Sequence, residues 1–261
     1  MRISEQLHLG AGQHRGALSL FPIWQPTQPR PAIQLADELS VSVRELEVPK
    51  VPWLQVTAAE LPVLLLEGDV LVGGRQDRFV LRSTLLAPWQ QSEVEVRCVE
   101  QERWHGAGEH VAGSRRATSY VRGNPEQGEV WERVAQERQR TAGPPNTDGL
   151  EMLPGQCGVL IGIGGRTRLM ELFSDSAMLG QAWRRILEAA ARDAAGAPLV
   201  RTTGHTARAF IRNVAALQPI VAGPAGLGRA VSATAGPLQL RGISLDGHIL
   251  HASALHDGIP A

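Results

Sequence analysis

The chain has little cysteine and no long apolar run, and each shortage closes off a class of protein. Its two cysteines, Cys98 and Cys157, lie far apart in sequence. They make neither a disulfide framework nor a metal-ligand spacing, so two reduced thiols in a cytoplasmic protein are expected. No uninterrupted apolar run approaches the length needed to cross a bilayer, and Met1–His8 lacks the apolar core of a signal peptide. Neither a membrane partner nor secretion is expected. With 26 Lys+Arg against 26 Asp+Glu, the formal net charge is +0. General nucleic-acid binding is therefore not expected. The motifs Gly-x-Ser-x-Gly, Walker A and His-Glu-x-x-His are also missing.

What the chain does have is arginine and apolar strand-like runs. Every basic residue except Lys50 is arginine, a bias that genome composition can produce. An arginine in a cleft nevertheless offers a planar fork suited to carboxylate or phosphate. At 261 residues and 43% hydrophobic, the chain is long and apolar enough for one large folded domain or two small ones. Strands are expected at Leu18–Ile23, Val41–Val48, Val63–Leu66, Val70–Val72, Phe79–Leu86 and Glu93–Glu100. In the last of these Val94, Val96 and Cys98 share one face. The Gly- and Arg-rich stretch from Gly106 to Gly128 reads as a loop, and Glu129–Thr141 as a short amphipathic helix.

Gly143-Pro144-Pro145-Asn146 punctuates the chain. After it come a hairpin turning at Gly164-Gly165 and a helix with N-cap candidates Ser174, Asp175 and Ser176. A second helix near Thr206–Leu217 and strands to Leu255 follow, with Asp246-Gly247 as a hairpin turn. Without a steady βαβ rhythm, the fold class is α+β. A strand-rich first half, sandwich- or barrel-like, joins a hairpin–helix–helix–strands second half. A sub-boundary falls near 143–150, with residues 1–142 mainly β and 150–261 α+β.

The candidate site lies in Leu61–Trp104, where apolar strands bracket two polar clusters. Arg75-Gln76-Asp77-Arg78 follows the Gly73-Gly74 pair. A solvated hairpin tip and a binding loop held by rigid strands are both open readings there. In Glu100-Gln101-Glu102-Arg103-Trp104, parity along the strand turns Glu100 toward the apolar face. A carboxylate so placed must be neutralised or find a cation among Arg75, Arg78 and Arg103. Its functional reading is a general acid/base, with Arg103 beside it and Trp104 as pocket wall or stacking surface. The bland reading is a Glu–Arg pair closing a strand end. Arg166, just past the Gly164-Gly165 turn, is a further anion-binding candidate. Gly162-x-Gly164-Gly165 does not make a dinucleotide loop, because a strand rather than a helix follows it. His248 and His251 point to opposite faces of one strand, so no shared metal is expected. Cys98 reads as a small core residue rather than a nucleophile.

Several of these motifs also carry a resemblance. They are Phe21-Pro22-Ile23, Leu64-Leu65-Leu66-Glu67-Gly68-Asp69, Gly73-Gly74-Arg75-Gln76-Asp77-Arg78, Cys98-Val99-Glu100-Gln101-Glu102-Arg103-Trp104, Gln127-Gly128-Glu129-Val130-Trp131, Ile163-Gly164-Gly165-Arg166 and His251-Ala252-Ser253-Ala254-Leu255. Together they resemble the ADP-ribosylglycohydrolase-and-rhodanese-phosphatase-associated protein domain. The resemblance covers nearly the whole chain and implies one family unit over residues 1–261. The family typically has Lys and Asn where this chain has Arg75 and Asp77. It is named for gene neighbourhoods, and implies only a link to ADP-ribose or NAD-derived metabolism.

Two functional expectations follow. The first is an enzyme acting on a small anionic, nucleotide-like substrate, with Glu100 as acid/base. Arg75, Gln76, Asp77, Arg78, Arg103, Trp104 and Arg166 would contact that substrate. The second is a non-catalytic accessory module using the same pocket. A protein partner or a homo-oligomer fits either, and no cofactor is assigned.

Overall fold

The computed structural model describes residues 6–26, 32–48, 50–101, 103, 106, 108–123, 126–140 and 146–256. In chain order the elements begin with β1 (His8–Leu9), β2 (Gln13–Arg15), β3 (Leu18–Trp24), β4 (Gln34–Leu35), β5 (Val41–Arg44) and β6 (Trp53–Ala58). Then come β7 (Val63–Leu65), β8 (Asp69–Gly73), β9 (Arg78–Val80), β10 (Thr84–Leu86), β11 (Gln91–Cys98) and β12 (Glu109–Arg116). Two helices follow, α1 (Ser119–Arg122) and α2 (Gln127–Arg140). The remainder is β13 (Gly158–Ile163), β14 (Arg166–Phe173), α3 (Ser176–Asp193), α4 (Gly204–Ala216), β15 (Ile220–Ala225), β16 (Gly228–Ala235), β17 (Leu238–Leu245) and β18 (His248–His256). This is an α+β fold, as expected, and of the sandwich and barrel left open for its strand-rich first half it has the barrel.

The chain divides into two compact units. One comprises Arg30–Gln139 with Pro224–Gly228, and the other Met1–Pro29, Arg140–Gly223 and Arg229–Ala261. In the first, six strands close into a barrel in the order β11-β6-β5-β12-β8-β9, beside a small β10-β7-β4 sheet. The barrel closes because its strands alternate. Leu54, Val56 and Ala58 on β6, Val41 and Val43 on β5, and Val94 and Val96 on β11 enter one apolar core. Antiparallel register puts Gly73, Arg78, Cys98 and Glu109 at one end of this barrel, since Gly73 pairs with His110, Glu109 with Arg44 and Cys98 with Arg78. Ala58 and Gln91 lie at the opposite end, paired with Val41 and Thr57.

The loop expected from Gly106 to Gly128 is instead largely structured. It holds β12, bonded on both sides within the barrel, and α1, whose Thr118 cap accepts from the Val121 N–H. Apolar alternation fails there because the buried positions of β12 include His110 and Arg116 as well as Ala112. Gly113, at φ 86, sits in a register shift between Val111 and Arg115.

The other unit is a nine-stranded sheet running β1-β3-β13-β14-β18-β17-β16-β15, with β2 paired to β3. Ala207, Phe210 and Val214 of α4 pack on Phe21, Ile23, Leu160, Met170, Leu172, Ala252 and Ala254. Asp175 caps α3, its Oδ1 accepting from the Met178 N–H at 3.0 Å, and Thr203 caps α4 in the same way through Thr206. Both hairpin turns fall where glycine permits them. Gly164-Gly165 has φ values of 58 and 86, and Asp246-Gly247 of 50 and 82, both compatible with the primed turns that two-residue hairpins favour. The Gly143-Pro144-Pro145 punctuation lies outside the described residues.

Candidate functional site

At the Gly73–Glu109 end of the barrel, one arginine organises a loop. Gly73 and Gly74 leave β8 at φ 112 and 51, conformations that favour glycine. A side chain at Gly74 would also place its Cβ 2.0 Å from the His110 ring. The turn exposes the Gly73 and Gly74 carbonyls to Arg103, whose guanidinium donates to both at 3.1 Å. The same group donates to Asp77 Oδ1 at 3.0 Å and, through Nε, to Glu100 Oε2 at 2.7 Å. Asp77 closes the ring: its Oδ1 accepts from the Gly73 N–H at 2.8 Å, and its own N–H donates to Glu100 Oε2 at 2.8 Å. Gln76 ties the loop to the strand end, its Nε2 donating to the Glu100 carbonyl at 2.6 Å. A guanidinium fork is needed to satisfy acceptors in this many directions, and an ammonium would not reach them all.

Glu100 therefore sits differently from the parity expectation. β11 ends at Cys98, Val99 donates to the Asp77 carbonyl, and the chain turns before Glu100. Its side chain is half-buried in the loop instead of pointing into the barrel core. Burial pushes its carboxyl up, but the Asp77 N–H, the Arg103 hydrogen bond and the charges of Arg103 and Arg138 together outweigh this. The net effect holds Glu100 below the ordinary glutamate value. An ionised carboxylate can accept a proton, but it is poorly suited to donate one near neutral pH.

The other predicted residues separate into groups. Arg78 is fully buried, its guanidinium 3.0 Å from Glu45 Oε1 and 3.5 Å from the Trp53 carbonyl. That leaves it beneath the loop rather than on the surface. Asp77 and Gln76 are buried within the loop, and Arg75 is half-buried. Arg166 belongs to the other unit, on the exposed tip of the β13–β14 hairpin. Trp104 lies outside the described residues. Cys98 is buried, and burial pushes its thiol up despite the opposing charge of Arg78, which disfavours the thiolate a nucleophile requires.

Three contributors were not singled out from the sequence. Glu45 supplies the counter-charge for Arg78. His110, buried beneath Gly74, places Nε2 3.3 Å from the Gln76 carbonyl. Burial holds its imidazole below the ordinary histidine value, against the pull of Glu45 and the Gln76 carbonyl. Arg115 extends from β12 with its guanidinium 3.5 Å from Asp77 Oδ2, and its side chain is 54% exposed. One carboxylate thus has Arg103 on one side and Arg115 on the other. All three hide in segments that looked like loop or ordinary strand, where only the barrel register reveals their convergence.

A further polar pair lies in the other unit. His251 Nε2 is 2.7 Å from Glu171 Oε2, with both side chains buried, whereas His248 is exposed. Among the described residues, no group of three or more His, Cys, Asp or Glu is placed to hold a metal ion. Nor is any helix long and apolar enough to cross a membrane.

Compared with known proteins, the chain matches the model of the ARG and Rhodanese-Phosphatase-superfamily-associated Protein domain over residues 6–151 and 146–255. No curated protein matches it. No solved structure matches it.

Proposed function

We propose, from the premise that the chain belongs to the ARG and Rhodanese-Phosphatase-superfamily-associated Protein domain family, that it is an accessory module binding a small anionic molecule at the Gly73-Gly74 loop. One observation carries this reading: Arg115 stands beside the loop with its side chain 54% exposed and its guanidinium 3.5 Å from Asp77 Oδ2. Arg103 and Glu100, by contrast, are spent on holding the loop's shape. A rigid loop beside an exposed arginine suits recognition of a phosphate or carboxylate. The family's name makes ADP-ribose and nucleotide derivatives the first compounds to offer.

A second reading keeps the protein an enzyme, with Glu100 as base or nucleophile. It is favoured by the ionised state in which the loop holds that carboxylate.

A titration of the full chain with ADP-ribose, NAD, nucleotides and inorganic pyrophosphate separates the two, read by thermal shift and by product analysis. The accessory reading predicts that a phosphate-bearing compound raises Tm by mass action without turnover. That shift should disappear in Arg115→Ala. Turnover abolished in Glu100→Gln with binding intact selects the enzyme reading. A Tm unmoved by every compound overturns both.

A further inference from the structure

The opposite end of the barrel is built unlike the loop end. Four apolar side chains stand in solvent there: Leu39 at 86% exposure, Trp89 at 69%, Leu227 at 50% and Leu61 at 43%. Backbone hydrogen bonds bring the segments of Leu39 and Trp89 together on this rim, and the small β10-β7-β4 sheet beside it carries those of Leu61 and Leu227. Ser40 next to Leu39 accepts from the Ala59 N–H, and Ala58 accepts from the Trp89 N–H at 3.0 Å. Leu85 accepts from the Leu227 N–H at 2.8 Å, and its neighbour Leu86 pairs with Val63, two residues past Leu61.

The segments that carry these side chains are locally fixed. Asp37 Oδ1 accepts from the N–H groups of both Leu39 and Ser40, at 3.1 and 2.8 Å, which holds the Leu39 turn. Gly226, at φ 66, fits so tightly on the Leu85 carbonyl that a Cβ there would lie 2.0 Å away. Trp89 itself has φ 61, a left-handed conformation that a bulky residue adopts only at a cost. The Ala87-Pro88-Trp89-Gln90 turn, closed by the Gln90 N–H on the Ala87 carbonyl at 3.4 Å, calls for positive φ at this position, where glycine is the usual residue and here a mostly exposed indole stands. Strain kept at an exposed aromatic is characteristic of a recognition position.

The rim also has one sign of charge. Residues 33–41, 57–63, 84–91 and 224–228 contain Asp37, Glu38 and Glu60, all exposed, and neither lysine nor arginine; the arginines that flank them are Arg82, paired with Glu95, and Arg229. In a chain whose overall charge balances, this is a local excess of carboxylate around apolar anchors.

We propose that this rim docks a segment of a partner protein whose apolar side chains are interspersed with lysine or arginine. Trp89 and Leu39 would supply the apolar anchors, and Asp37, Glu38 and Glu60 the charge that selects the basic partner. The surface lies at the end of the barrel opposite the Gly73-Gly74 loop.

The test titrates the full chain with two labelled amphipathic peptides of identical apolar spacing, one Leu/Lys and one Leu/Glu, by fluorescence anisotropy. The Leu/Lys peptide is expected to bind, more weakly as salt rises, and the Leu/Glu peptide to bind at least about tenfold more weakly. Trp89→Gly suits the backbone at φ 61 and should keep or raise Tm, while weakening Leu/Lys binding by about tenfold or more. Leu39→Ser should weaken it in the same direction. Equal affinity for the two peptides, binding to neither, or binding unchanged in Trp89→Gly overturns the proposal. So does self-association that Trp89→Gly abolishes in a chain that ignores the Leu/Lys peptide, which would assign the rim to a second copy.

Discussion

The barrel and the nine-stranded sheet both bury their strands, but they bury different chemistry. On its α4 side the sheet is apolar, and its Glu171–His251 pair lies within the sheet with both side chains buried. The barrel unit buries Arg78 against Glu45 and Arg116 against Asp69, the latter at 3.2 Å with side-chain exposures of 1% and 0%. Burying an ion pair gains little over burying hydrocarbon, because desolvation offsets much of the attraction. What such pairs contribute is position. Arg78 begins the strand that follows the Gly73-Gly74 loop, and Arg116 pairs with Asp69 at the start of the strand that leads into it. The sheet unit also buries Arg185 and Asp193 on α3, but among the described residues the three largest fully buried side chains, Arg78, Arg116 and Arg122, all lie in the barrel unit, which has the loop to hold in place.

The largest expected effect is therefore in the barrel. Glu45→Ala leaves Arg78 charged and unpaired, and should cost roughly 3–5 kcal/mol in a denaturant melt. Replacing the pair together, Glu45→Leu with Arg78→Met, should recover most of that loss. A double variant as unstable as the single one would show that the pair contributes stability in its own right. In the sheet, Glu171→Ala should cost less, about 1–3 kcal/mol, as one buried hydrogen-bonded partner is lost.

Next in size is Gly74→Ala. The new methyl meets the His110 ring at a backbone angle that disfavours side chains, so a loss of about 1–3 kcal/mol is expected, with weakened anion binding. The pH dependence is smaller. A buried histidine held below its ordinary value contributes stability that is present above the unfolded value. That contribution is lost as pH falls from about 6.5 toward its folded value. His110→Gln should flatten the fall in stability across that window. His14, also held low by burial and by Arg201, remains in the variant as the residual slope. The smallest stability effect belongs to Arg115→Ala, under about 1 kcal/mol for an exposed pair. The same variant should show the largest loss of ligand binding, and that contrast is what sets the exposed arginine apart from the buried ones.

Much of this architecture is legible in the sequence where local physics agrees with the fold. Period-2 alternation marks β5 and β11, and paired residues that tolerate positive φ mark the two hairpin turns, whereas β6 (Trp53–Ala58) is absent from the expected strands although Leu54, Val56 and Ala58 alternate inward along it. Caps and apolar stripes mark α3 and α4. Legibility fails at β12, where the buried positions carry His110 and Arg116 and a glycine bulge interrupts the period. It fails again at Glu100, where extending the alternation two residues beyond Cys98 reversed the side chain's surroundings. The candidate loop was visible as a polar cluster between apolar strands. The distribution of tasks within it was not, because Glu45, His110 and Arg115 reach it only through barrel register.

The most direct test of this account is the titration of the Glu100 side-chain carboxyl carbon by NMR, with Glu100→Gln used for assignment. If Arg103 and the Asp77 N–H hold the loop by holding an ionised Glu100, the midpoint falls below the ordinary glutamate value, and Arg103→Lys moves it upward. A midpoint above the ordinary value would contradict the account and return Glu100 to the role of proton donor.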